Sequence, residues 1–286
     1  QFSLKNTPES IPFPCGVVGY FGYDLCHFIE RLPDKAVDDM GIPDTYIAFY
    51  DTMISYDNFL NTCHVIGVDF GLDNKQNDRM EHMDNLLCRQ SDAGYKPKDY
   101  MPGPAISEPT LKFNFTKELY MDAIGRIKDY ITAGDVYQVN LSQRIETHID
   151  IPPYELYTKL RSINPAPFSS YLAFDDVAII SSSPERFLKV NDRHVQTRPI
   201  KGTRPRGGDI KTDEMMKQAL LASQKDNAEL TMIIDLERND LGRVCDYGSV
   251  KVTERKVLET YPTVYHLVST IEGDLYERYD FIDLLK

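Results

Sequence analysis

The sequence predicts an α+β fold of large antiparallel β-sheets packed face to face with helices on the outside, and two observations predict it. Strand-like runs rich in aromatic and β-branched residues follow one another across tight turns, and helical periodicity is confined to separate blocks. A doubly wound sheet would need strands and helices to alternate one for one. No internal repeat is evident.

Taken in order, Gly16-Val17-Val18-Gly19-Tyr20-Phe21-Gly22-Tyr23, Tyr46-Ile47-Ala48-Phe49-Tyr50 and Cys63-His64-Val65-Ile66-Gly67-Val68 read as strands that pair antiparallel, separated by Pro, Asp and Asn. Arg79 to Arg89 reads as a short helix. The stretch from Gln90 to Thr110 holds four prolines and two glycines, so it reads as a linker. Thr116 is an N-cap candidate for a helix that carries Tyr120, Ile124, Ile127 and Ile131 on one core-facing side and stops before Gly134. Strands are expected at Val136 to Glu146, Ser169 to Phe174, Val177 to Ser181, Phe187 to Val190 and His194 to Ile200, with a helix near Tyr154 to Ser162. Long helices from Thr212 to Asp240 precede last strands at Val250 to Glu254 and Tyr265 to Ile271. The resulting division is a β-rich part over 1–89, a linker over 90–112, and a part over 113–286 that holds the chemistry.

With 286 residues, 42% of them hydrophobic, the chain has enough apolar surface for a packed core, which excludes disorder of the whole. The net charge of -12 argues against a nucleic-acid partner, because nothing would compensate the repulsion of the phosphates. A small anionic ligand would have to be held by a local positive group or a divalent cation. Five scattered cysteines without a C-x-x-C pair suggest neither a disulfide framework nor a zinc site, and fit a reducing, cytoplasmic setting. No apolar run approaches the roughly 18 residues of a membrane span, so a soluble protein is expected. The chain opens at Gln1 and closes on Asp283-Leu284-Leu285-Lys286, which reads as the middle of a helix; both ends are expected to be cut.

Lys201 stands at a strand end, in Arg198-Pro199-Ile200-Lys201-Gly202-Thr203-Arg204-Pro205-Arg206-Gly207-Gly208, before a glycine-rich turn. A lysine amine titrates near ~10.4 in water, so a nucleophilic role demands desolvation or cationic neighbours. Arg198, Arg204 and Arg206 are such neighbours; a basic surface turn is the alternative. Glu229, Met232, Ile233 and Leu236 fall at helical spacing, which places Glu229 on the inward face with Asp226 one turn earlier. A carboxylate there asks for a cation, with Mg²⁺ suited to oxygen ligands, or else for a salt bridge to an arginine. Glu185, in Ser181-Ser182-Ser183-Pro184-Glu185-Arg186, is either a catalytic carboxylate or part of an ordinary turn. His266 alternates with Val268 and Thr270 on one face of a strand, as a site residue or a satisfied core histidine. No P-loop, G-x-G-x-x-G, G-x-S-x-G or H-E-x-x-H occurs, which disfavours ATP, NAD and serine hydrolase chemistry.

Six segments occur in order: Tyr137-Gln138-Val139-Asn140-Leu141-Ser142-Gln143-Arg144, Asn164-Pro165-Ala166-Pro167-Phe168, Ser183-Pro184-Glu185-Arg186-Phe187, the Arg198 to Gly207 stretch, Asp235-Leu236-Glu237-Arg238-Asn239-Asp240-Leu241-Gly242-Arg243-Val244, and His266-Leu267-Val268-Ser269. Together they resemble the chorismate-utilising enzymes, a family that includes anthranilate, aminodeoxychorismate, isochorismate and salicylate synthases. The lysine in Pro199-Ile200-Lys201-Gly202-Thr203 resembles the aminodeoxychorismate synthase branch, since anthranilate synthases typically carry alanine there.

The resemblance implies amination of chorismate to 4-amino-4-deoxychorismate, on the route to 4-aminobenzoate and folate, with ammonia delivered by a glutamine amidotransferase partner. It implies that Lys201 attacks C2 of the ring as the C4 hydroxyl leaves, and that ammonia then adds at C4 and expels the lysine. Glu185 would be the general acid and base, Glu229 with Asp226 behind it the Mg²⁺ ligands, and Gly202, Thr203 and His266 substrate-pocket residues. Relatives continue into a G-S-x-T-G-A-P-K segment and an R-x-x-Y-x-G stretch, and their first strands help form a pocket for bound tryptophan. Both are expected to be missing here, so the 286 residues alone are expected to be weakly active or inactive. The rivals are anthranilate synthase, an isochorismate or salicylate synthase using water, and a non-catalytic remnant or binding subunit.

Overall fold

The structure, a computed structural model, describes residues 11, 13–71, 75–92 and 110–286. In chain order these form β1 (Gly16–Phe21), a 3-10 turn (Tyr23–Leu25), α1 (Cys26–Ile29), β2 (Thr45–Tyr50), β3 (Thr52–Asp57), β4 (Thr62–Gly67), α2 (Gln76–Asp92), β5 (Lys112–Phe113), α3 (Lys117–Ala133), β6 (Ile145–Glu146), α4 (Pro153–Ile163), β7 (Phe168–Phe174) and β8 (Val177–Ser183). They continue as β9 (Arg186–Asn191), β10 (His194–Arg198), β11 (Ile200–Pro205), α5 (Ile210–Ala222), α6 (Gln224–Val244), β12 (Lys251–Thr260), β13 (Val264–Asp274) and α7 (Phe281–Leu285). The α+β class with antiparallel pairing is as the sequence predicts. Among the described residues one sheet has five strands and the others have two each.

Contacts divide the chain into two compact units, one holding residues up to 18 with 48–151 and the other 19–47 with 152–286. This corrects the boundaries expected from composition. Segment 110–151 joins the first unit, where Lys112–Phe113 pairs with Ile145–Glu146, and Tyr20 and Tyr46 join the second, where both rings pack on Phe174. Most of the expected linker, 93–109, lies outside the described residues.

In the first unit β3 and β4 form an antiparallel hairpin, with Asp57 Oδ1 accepting from the Phe59 and Leu60 amides in the turn, and α2 packs against both strands. Helix α3 starts as its sequence dictates: Thr116 is extended and its hydroxyl accepts from the Leu119 amide at 3.2 Å. It ends on Gly134 in the left-handed region. Its apolar side is only half covered, for Ala123 is buried while Ile131 is exposed. The strand expected over Val136 to Glu146 shrinks to Ile145–Glu146, because a strand exists only where a partner completes its ladder and β5 offers two residues.

The second unit is organised around β13. Along one edge β12 pairs with it, and along the other β11 and β10 pair with successive stretches, Val264–Val268 and Ile271–Asp274. Helices α5 and α6 cover one face, where Val195, Leu220, Leu230, Ile234, Leu267 and Ile271 form the core. The long helices expected from Thr212 to Asp240 are α5 and α6, parted at Ser223, whose hydroxyl caps α6 by accepting from the Asp226 amide at 3.3 Å. A bidentate pair between Arg206 and Asp213, joined by the Tyr265 hydroxyl and the Gly207 amide, ties the end of β11 to α5.

Leu267 is 0% exposed at the centre of this layer and Leu119 is 56% exposed on α3. Leu267→Ala is expected to cost about 2–5 kcal/mol of unfolding free energy and Leu119→Ala no more than about 0.5 kcal/mol, measured by urea titration of each variant.

Candidate active site

Glu185 sits in the turn between β8 and β9, where the Ser183 hydroxyl accepts from its amide at 3.2 Å. Its Oε1 accepts from the Ile200 amide at 2.7 Å, which docks the turn onto the first residue of β11. Lys201 is the next residue on that strand, half-buried and without a hydrogen bond or ion pair among the described residues. The register of β11 on β13 shifts between Ile200 and Thr203, so Lys201 and Gly202 lie in a bulge. Gly202 has φ +86°, and a Cβ there would stand 2.9 Å from Asp226 Cβ and 3.0 Å from Leu220 Cδ1. Glycine is therefore explained at this position by close packing of the bulge on α5 and α6, before any ligand is invoked.

Thr203 Oγ1 lies 2.9 Å from His266 Nδ1, across the β11–β13 pair. His266 is buried, and the expected alternation holds: Val268 and Thr270 share its face of β13. That face is polar. Arg198 donates to Glu259 at 2.7 Å and to Thr270 at 3.1 Å, and the Tyr261 hydroxyl donates to Glu259 at 2.7 Å. Burial lowers the His266 pKa, while the nearby Glu259 and Glu185 carboxylates raise it.

The expected metal ligands are placed differently from one another. Asp226 is buried, but its Oδ2 takes Arg204 at 2.7 Å; the Ser223 hydroxyl and then the Arg204 and Lys225 charges hold its pKa below the usual carboxylate range against the opposing effect of burial. The salt-bridge alternative thus describes Asp226. The Glu229 side chain is 43% exposed and lies 3.6 Å from Lys225. Its expected place on the inward face is a correction: the buried side of α6 runs through Asp226, Leu230, Ile234 and Leu241. Among the described residues no cluster of three or more His, Cys, Asp or Glu could hold a metal. Among the described residues Asp226 and Glu229 do not by themselves make a Mg²⁺ site.

Sequence reasoning missed Glu237. It lies three residues after Ile234 on the buried side of α6, and its Oε2 accepts from Thr197 at 2.9 Å. Burial raises its pKa; the Thr197 hydroxyl lowers it, Glu185 and Asp240 raise it, and Lys201 lowers it. Glu237 therefore feels the charges of both Glu185 and Lys201. Glu237 and Thr197 also line a cavity of about 580 Å³ with Phe187, Leu188, Leu241 and Leu284, while Lys201 and Glu185 do not.

A family model described as chorismate binding enzyme matches residues 1–286. Anthranilate synthase component 1 of Thermus thermophilus is 39% identical over 283 residues, covering 99% of this chain and 60% of that protein. Aminodeoxychorismate synthase component 1 of Bacillus subtilis is 36% identical over 288 residues, again 99% of this chain and 60% of the relative. The crystal structure of anthranilate synthase component I from Streptococcus pneumoniae superposes with a TM-score of 0.83 at 27% identity, covering 99% of this chain and 62% of that one. The chain thus spans about 60% of the length of these relatives.

Because the folded-state pKa of Glu237 is raised, the folded chain binds its proton more tightly than the unfolded chain does. Stability from this group is full below the ordinary glutamate range and is lost as pH rises through the folded-state value. Glu237→Gln keeps an acceptor for Thr197 and removes the buried charge. It is expected to raise the urea midpoint at about pH 8 and to leave it unchanged at about pH 4.

Proposed function

This chain belongs to the chorismate binding enzyme family, and from that premise we propose that the protein aminates chorismate with ammonia to give 4-amino-4-deoxychorismate. One observation carries the reading. A lysine amine without an ion pair among the described residues, Lys201, follows the residue whose amide holds the Glu185 carboxylate, so a nucleophile and a proton carrier share one strand end. In the proposed sequence Lys201 Nζ bonds to C2 while the C4 hydroxyl leaves with its electron pair and a proton from Glu185. Both ring double bonds move in that step; ammonia then bonds to C4, the two double bonds shift back, and the lysine leaves from C2 as Glu185 takes up the proton that ammonia sheds. The step is covalent catalysis by two displacements with one carboxyl acting in both directions. Thr203 and His266, bonded to each other on the same part of the sheet, are proposed to contact the ring.

The name component 1, carried by relatives of both kinds, supports a partner subunit, which we take to be a glutamine amidotransferase that releases the ammonia. Mg²⁺ enters the proposal through Glu229 alone, with its remaining ligands outside the residues described; Asp226 is committed to Arg204. A bound tryptophan has no observation in its support. The second reading is anthranilate synthesis, favoured by the 39% identity to the Thermus relative and the fold match to the Streptococcus enzyme.

Two outcomes are expected. In the longest available form of the protein, supplied with chorismate, ammonium and Mg²⁺, mass spectrometry should show aminodeoxychorismate, and Lys201→Ala should lower its formation by about 10³-fold or more. Anthranilate as the wild-type product would replace this reading with the second. Chelation should stop product formation and added Mg²⁺ restore it; Glu229→Gln should raise the Mg²⁺ concentration needed, whereas Asp226→Asn should act on the unfolding midpoint instead, by freeing Arg204.

A further inference from the structure

The polar face of the five-stranded sheet carries a bracket of side chains that the mechanism above leaves unused. Glu259 stands on β12 directly across from His266 in the register with β13. Its two carboxylate oxygens are both taken: Arg198 Nη2 donates to Oε1 at 2.7 Å, and the Tyr261 hydroxyl donates to Oε2 at 2.7 Å. Arg198 is fixed in turn by Thr270, at 3.1 Å from Nε, and by Glu254 at 3.6 Å. The Tyr261 ring stands edge-on to the His266 ring, centroids 5.4 Å apart at 67°. With Nδ1 bonded to Thr203, the imidazole is held from two sides, and its Nε2 has no hydrogen-bond partner among the described residues. His266 also lines a cavity of about 300 Å³ together with Asn164, Pro184 and Tyr261, next to the Glu185 turn.

We propose that Glu259 is a positioning residue for His266: by bridging Arg198 and Tyr261 it fixes the imidazole so that Nε2 is left for a ligand in the adjoining cavity. The charge balance agrees with the geometry. Burial works to raise the Glu259 pKa, but the Tyr261 and Arg198 hydrogen bonds and the Arg198 charge outweigh it, so Glu259 stays anionic beside the ring. Tyr261, pushed up to about 12 by burial and by that carboxylate, stays a donor. The groups that act electrostatically on His266 are Glu259 from β12, itself paired with Arg198, and Glu185 from the β8–β9 turn. A carboxylate whose only task was to join strands would not need to face the histidine.

The kinetic part of the test rests on the amination reading; the spectroscopic part does not. In the longest available form of the protein, labelled with ¹³C-histidine, the His266 ring signal is assigned by its loss in His266→Asn and titrated in wild type, Glu259→Gln, Glu259→Asp and Tyr261→Phe. Glu259→Gln is expected to weaken proton binding at His266 about tenfold, a shift of about one pH unit, and Glu259→Asp to restore most of it. The acid limb of kcat/KM against pH should move with the ring titration, and Tyr261→Phe should broaden the ring signal without removing its titration. An unchanged His266 titration in Glu259→Gln, whatever happens to the unfolding midpoint, overturns the proposal and makes Glu259 a tie between strands. A wild type that forms anthranilate sinks the amination reading and leaves the titration to decide this one.

Discussion

Strand β13 has no free edge and no free face, and the rest of the second unit follows from that constraint. Residues Tyr265 to Ile271 are all buried, so a one-residue slip would carry the apolar set Tyr265, Leu267 and Ile271 to the polar face and His266 to the helices. The edge shared by β10 and β11 can be continuous only if the chain steps sideways between them. It does so at Pro199, which has no amide to place in the ladder and whose carbonyl accepts from Ser269. Opposite, β12 bulges, with Lys256 in the left-handed region, its amide on the Ser269 hydroxyl and its amine on Leu221 O at the end of α5. Ser269, fully buried, is thus the point at which three strands are held in register while two bend.

The bends shape the candidate site. A regular β11 would point Lys201 and Thr203 to the same face and Gly202 to the other at full spacing. The bulge lets Gly202 sink against Asp226 and Leu220, which only a residue without Cβ can do, and it begins directly after Ile200, whose amide holds the Glu185 carboxylate. Bulges gather next to reactive groups for this reason: they aim a side chain that strict alternation would misplace.

What local rules govern was legible in the sequence. Thr116 and Gly134 mark α3 because a hydroxyl cap and a left-handed glycine are chemical necessities at helix ends. The β13 alternation of His266, Val268 and Thr270 was legible because period two is stiff. The inward side of α6 was not. Leu230-Thr231-Met232-Ile233-Ile234 offers apolar residues to two helical registers one position apart, and only packing on Leu220, Leu267 and Ile271 selects the one through Leu230 and Ile234. That single position exchanges the roles of two carboxylates: Glu229 turns toward solvent and Lys225, and Glu237 goes inside. The strand expected before Glu146 failed for the complementary reason, since its composition is strand-like but pairing is a property of the partner.

The strongly acidic chain was expected to hold an anion through a local positive group or a divalent cation, and Arg198, Arg204 and Arg206 were expected as cationic neighbours of Lys201. The structure gives each arginine a carboxylate of its own: Glu259 for Arg198, Asp226 for Arg204 and Asp213 for Arg206, at 2.7, 2.7 and 2.6 Å. At these distances each pair acts beyond its immediate surroundings as a dipole, and its field falls off faster than that of a free charge. The three guanidiniums therefore build the walls of the site rather than its potential. Among the described residues Lys201 has no ion pair, while Glu185 is taken by the Ile200 amide, Asp226 by Arg204 and Glu237 by Thr197. The basic run around Lys201 is thus divided, among the described residues, into three paired arginines and one lysine without an ion pair, a division that residue types alone do not reveal.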